Sequence, residues 1–140
     1  MRVKSMRSKC WLALWTGAII FLSACSIDTI KEEKIKDLEY TVMAPDEVPE
    51  ELMEQIEKEK EEPMKITFSD KGYLYIVHSY GTQETSGYSI EVKELYETEN
   101  AICFETELLG PKKTEEIIET ETYPFVVVKI EENEKYVVFR

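Results

Sequence analysis

From position 38 onward the chain alternates between the two periodicities that distinguish strand from helix. Residues 40–43 read as a short strand that ends where Ala44 precedes Pro45, a dipeptide that disfavours regular structure. Over 49–61 the apolar positions Leu52, Met53 and Ile56 fall at helical spacing and make one narrow stripe. Asp46 lies in the N-cap region, Pro49 suits the first turn, and Glu50 and Glu51 complement the positive helix end. Pro63 closes this segment, and the stripe predicts a one-sided helix packed on a sheet.

After Pro63 the period drops to two. Residues 64–68 alternate, 69–72 carry a turn ending on Gly72, and 73–80 form an aromatic and β-branched strand with Leu74, Ile76, His78 and Tyr80 on one face. Residues 88–95 place Tyr88, Ile90 and Val92 together, 98–100 turn, and 101–108 form the next strand. Gly110 to Lys113 break the pattern, and strands over 122–130 and 136–139 follow, joined by a tight turn at 131–134. Strands this close in sequence leave no room for crossover helices, so the pairing is expected to be mainly antiparallel. The predicted fold is mainly β, α+β by virtue of one helix. It is a small antiparallel sheet or sandwich of six to seven strands with one amphipathic helix packed near its N-terminus.

The first residues follow a different rule. Arg2, Lys4, Arg7 and Lys9 precede an apolar run over 11–24, which has the layout of a secretory signal and is short of the roughly 20 apolar residues a spanning helix needs. Leu22-Ser23-Ala24-Cys25 resembles the lipobox of bacterial lipoproteins, which implies cleavage before Cys25 and a diacylglyceryl group on its sulfur. Acyl chains on that residue would anchor the chain stably, where a single chain binds marginally. The expected organisation is a signal peptide over 1–24, a lipidated Cys25 with a charged tether over 25–37, and one globular domain over 38–140. The expected location is the extracytoplasmic side of a cell membrane. About 100 residues is enough for a single core.

Charge and cysteine content narrow the chemistry. The chain has 17 basic and 29 acidic residues; removing the four basic residues of the signal leaves 13 against 29, a net −16. Such a surface repels nucleic acid and anionic head groups, so nucleic-acid binding is not expected and the acyl group must supply the membrane affinity. With Cys10 in the signal and Cys25 lipidated, Cys103 is the one thiol left. It has no partner for a disulfide, and it sits in an apolar run that suits a buried core thiol better than a nucleophile. His78 is the only histidine, too few for a zinc site, and no nucleophile motif flanks it. The acidic run 57–62 reads as a solvated helix face. No EF-hand spacing and no phosphate-cradling glycine loop occurs. No catalytic residue, cofactor or metal is expected, and an enzyme is the poorer reading.

The most distinctive stretch is 81–90, with Gly81 and Gly87, several hydroxyls and Tyr88 at its exit. It is expected to join two antiparallel strands. Its glycines are explained by tight backbone geometry, and Tyr88 by the start of a core face. A functional reading stands beside that one: Gln83, Glu84, Thr85, Ser86, Gly87 and Tyr88 as a protein-recognition patch. Tyr123-Pro124 suits a strand entry or bulge, and the aromatic before the proline leaves a cis bond open there.

Tyr80-Gly81, Thr85 to Ile90, Leu109-Gly110-Pro111 and Tyr123 to Lys129 together resemble the C-terminal domain of PrcB-type protease complex subunits, over about 73–130. That family commonly has Thr-Gly-Gly-Tyr in its loop, where this chain has Ser86 at the first of those glycines. The resemblance implies a noncatalytic part that helps assemble or hold a protease, so the expected partner is an extracytoplasmic protease or other protein. The loop alone is also similar to those that β-sandwich protease inhibitors present to an active-site cleft. An inhibitor is therefore one alternative, and a purely structural envelope lipoprotein is another.

Overall fold

The computed structural model describes residues 33–140. The signal segment 1–24 and Cys25 lie outside the described residues, as does most of the tether over 25–37. The last residues of that stretch are part of the sheet structure: β1, Lys36–Asp37, pairs with the end of a long strand. There follow β2 (Thr41–Val42), a 3-10 turn (Pro45–Glu47), α1 (Glu50–Glu59), β3 (Pro63–Asp70), β4 (Tyr73–Tyr80), β5 (Ser89–Glu97), β6 (Ala101–Leu109), β7 (Phe125–Glu131) and β8 (Tyr136–Phe139). Six long strands with two dipeptide strands make the mainly β domain with one helix that the pattern predicts.

These strands form two four-stranded sheets, β1-β5-β6-β8 and β2-β7-β4-β3. The alternation of β4 decides what each sheet face touches. Leu74 and Ile76 point at the other sheet and join Leu95, Ile102, Phe104, Val126, Val128 and Ile130 in the inter-sheet core. Tyr75 and Val77 point the other way and meet Leu52, Ile56 and Val48. The order of layers is therefore helix, sheet, sheet. Leu52 and Ile56 are fully buried, and each contributes roughly 1.5–3 kcal/mol by leaving water. The helix starts at Pro49 with no side-chain cap; Asp46 falls in the preceding 3-10 turn.

Four details differ from the sequence reading. The first turn is two residues, Lys71 (φ 49°) and Gly72 (φ 83°), because both can take the left-handed backbone that suits a twisted hairpin; Ser69 and Asp70 remain in the ladder. The second concerns β5, whose alternation is not clean. A register shift between Val92 and Glu94 turns Leu95 back into the core, where strict period two would have placed Glu94. Third, the stretch 81–90 does not join neighbouring strands. β4 and β5 belong to different sheets, so 81–88 is a crossover between layers.

The fourth difference is that β7 and β8 form no hairpin. β8 crosses to the other sheet and pairs with β6 in parallel, from Ala101↔Tyr136 to Phe104↔Phe139. Side chains in the connection hold that path. Asn133 Nδ2 donates to Glu97 Oε1 at 3.1 Å, and Lys135 Nζ lies 3.0 Å from the same oxygen and donates to Thr98 O at 2.8 Å. These contacts, Asn133 first and Lys135 next, hold the Glu97 carboxyl below its ordinary pKa. The Tyr123–Pro124 peptide is trans.

Candidate functional site

Strand register collects several connections at one end of the sandwich. Pro63 faces Tyr80, Phe125 faces Ser79, and Ser89 faces Leu109. The crossover 81–88, the connection 110–124 and the helix-to-β3 corner therefore meet there. The chain enters at the opposite end, where Lys36 faces Glu97.

Gly81 sits at φ 77° against that corner. A Cβ on it would lie 3.0 Å from Glu61 O and 3.1 Å from the Pro63 ring, so backbone geometry and close approach both require glycine. Thr82 donates twice to Glu61 O, from N at 3.0 Å and from Oγ1 at 3.1 Å. Gln83 and Thr122 exchange backbone hydrogen bonds of 2.8 and 2.9 Å as an isolated bridge. The Gln83 amide turns inward and donates to Tyr80 O at 3.4 Å.

The hydroxyls of the crossover are spent in the same way. Thr85 Oγ1 donates to Ser86 O at 3.1 Å, and Thr85 O accepts from Thr122 Oγ1 at 2.7 Å. Ser86 N donates to Ile118 O at 3.0 Å, while Ser86 Oγ accepts from Ile118 N at 2.9 Å. Gly87 has φ 92°, and a Cβ there would lie 2.5 Å from the Glu115 carboxylate and 2.6 Å from Pro111. Tyr88 lies along Gly110, within 3.7 Å of where a Cβ would stand. Of the six candidate residues, Glu84 and Gly87 are exposed and Gln83, Thr85, Ser86 and Tyr88 are half-buried. The structure brings all six to one end, where they are laced to residues 110–124.

Those 15 residues are where the sequence reading missed the exposed chemistry. Ile117 and Ile118 are 51% and 65% exposed, in a run that also holds Glu115, Glu116, Glu119 and Glu121. Two adjacent β-branched apolar residues in an acidic stretch without strand or helix periodicity were the available signal. A groove of about 1140 Å³ lies at the other end, lined by Tyr40, Tyr73, Glu97, Lys129 and others, and none of residues 83–88 borders it.

His78 is remote from solvent. It is 4% exposed, on the inter-sheet face of β4, with Nδ1 2.7 Å from Thr106 Oγ1. Tyr80 OH lies 2.6 Å from the same hydroxyl, and its ring stacks on the imidazole at 4.6 Å. Phe139 of β8 packs edge-on against the His78 ring at 5.6 Å. Loss of water around the ring, and secondarily Lys65 across the ladder, push the His78 pKa down to about 4. The arrangement keeps a neutral imidazole as a strut between sheets. Cys103 is fully buried in β6. Among the described residues no group of three or more His, Cys, Asp or Glu is placed to hold a metal ion.

The comparison with protein families adds one finding. The family model described as PrcB C-terminal matches residues 74–131, which run from β4 through β7 and include both the crossover 81–88 and the connection 110–124. No curated protein and no solved structure matches the chain.

Proposed function

We propose that the chain, whose residues 74–131 match the PrcB C-terminal family model, is a noncatalytic accessory subunit of an extracytoplasmic protease complex. In this reading a lipid on Cys25 tethers it to a membrane, and the domain binds its partner through the end that carries 81–88. The family match is the observation that carries the reading. Geometry supports it. The nine residues of β5 separate the entering chain at Glu97 from the crossover at Ser89 by about 26 Å at strand rise. The crossover end is therefore the end remote from where the chain enters the domain. The test is lysine-directed cross-linking of intact envelopes followed by isolation of the chain. A protein adduct of defined mass, with a protease or protease subunit in it, is expected. Recovery of uncross-linked chain alone would overturn the reading.

A further inference from the structure

Ile117 and Ile118 stand out because nothing in the fold explains their exposure. Surface isoleucines occurring singly are ordinary, but these two are adjacent, more than half exposed, and at the tip of a 15-residue connection without strand or helix. Connections of that length in a compact domain are uncommon and are usually either functional or disordered linkers. This one is also held in place. The reciprocal hydrogen bonds between Ser86 and Ile118, the Gln83–Thr122 bridge, and the bond from Thr122 Oγ1 to Thr85 O fix it at Ile118 itself and on the C-terminal side of the pair. A further bond from Thr120 N to Ile118 O tightens the turn just after the pair. A tip ordered during folding loses little further conformational entropy when it docks.

The charge around the tip selects the partner. Glu115, Glu116, Glu119 and Glu121 flank the isoleucines, against Lys112 and Lys113, and Glu84 is exposed on the neighbouring crossover. Anionic lipid would be repelled by this ring, and a neutral apolar pocket would leave the acids without countercharge. Resting on the accessory reading above, we infer that Ile117–Ile118 is the anchor of the protein contact. It inserts into an apolar pocket on the partner protein whose rim carries Lys or Arg side chains. The half-buried residues 83–88 support this tip from behind. Apolar centres with charged rims are the usual division of labour in protein interfaces, with the centre carrying most of the affinity and the rim the salt dependence.

The test places a photo-cross-linking amino acid at position 118, at 84, or at the exposed position 71 in the β3–β4 turn at the opposite end, in the full chain within native envelopes. The expected result is one protein adduct from position 118, a weaker one from 84 and none from 71. The partner peptide at 118 should map to apolar residues flanked by Lys or Arg. Raising salt from about 50 to 500 mM should lower the yield several-fold, as screening of rim charges requires. Ile117→Ser with Ile118→Ser should lower the yield at least tenfold from position 84 while leaving the melting temperature of the domain unchanged. A protein adduct from 71 with none from 118 would overturn this inference and leave the accessory role standing, with its contact at the other end. Lipid adducts from 118 would overturn it in favour of membrane contact. Absence of protein adducts from all three positions would overturn both.

Discussion

The sharpest consequence of the fold is that the only histidine titrates where a solvent-exposed histidine does not. His78 is buried between the sheets, bonded to Thr106 and stacked on Tyr80, with its pKa lowered to about 4 from an ordinary 6.5. A depressed pKa on a basic group means that the unfolded chain takes up the proton first. Between pH 6.5 and 4 the unfolded state binds more protons, so stability falls as pH falls through that window and levels off below it. Linkage with those two values puts the loss between pH 7 and pH 5 at about 2 kcal/mol, of roughly 3 kcal/mol in full. One histidine gives one imidazole C2-proton resonance, so the titration can be followed directly by NMR. The resonance should stay at its neutral shift from pH 8 down to about 5.5, close above the net-charge minimum near pI 4.6. Urea unfolding at pH 7 and pH 5 should show the loss in the native chain and not in His78→Gln. A resonance midpoint near 6.5 would refute the reasoning. So would an equal pH effect in native chain and variant.

Four further outcomes follow from particular residues. Gly87→Ala forces a side chain into φ 92° and against the Glu115 carboxylate and Pro111, so it should cost roughly 1–3 kcal/mol in chemical denaturation. Gly72→Asn, with open space around its Cβ position, should cost little. Glu97→Gln removes the charge that holds Lys135 at 3.0 Å and should destabilise by about 1–2 kcal/mol at neutral pH, read by a thermal melt. The difference should shrink as pH is lowered and Glu97 itself protonates, because its folded pKa is depressed and the stability it adds is lost on going through that value. Cys25→Ala should move the chain from membrane to soluble fractions; retention on the membrane would sink the proposed lipid anchor.

Most of the element order was legible because it rests on periodicity. The stripe Leu52, Met53, Ile56 announced α1, and the aromatic and β-branched run 73–80 announced a strand; that Tyr75 and Val77 are buried on its other face came from the structure. What was not legible is which sheet a strand joins. Periodicity reports faces of a strand and says nothing of its neighbours, so 81–90 and 131–134 both read as connections between paired strands when they are crossovers. The second of these is decided by Glu97, Asn133 and Lys135, three polar residues that look like ordinary surface in a chain with 29 acids. The bulge at Val92/Glu94 is similarly silent until Leu95 is seen in the core.

At the candidate end the sequence drew attention to 81–88, and the structure adds the connection 110–124 that is hydrogen-bonded to it. The conspicuous residues of 81–88 are the ones whose hydrogen-bonding groups are largely taken up inside the domain. The departure at Ser86, where the family commonly has glycine, illustrates why. Ser86 is not among the residues with positive φ, whereas Gly87 is. Of the two glycine positions in the family pattern, this chain therefore needs glycine for its backbone only at the second. The first is free to carry a side chain, and its hydroxyl receives the Ile118 amide at 2.9 Å. A glycine there would keep the bond from its own amide to Ile118 O and lose the return bond. Ser86 thus converts a backbone position of the crossover into a clamp on the apolar tip, and the departure from the family pattern falls on the residue that fixes where Ile117 and Ile118 stand.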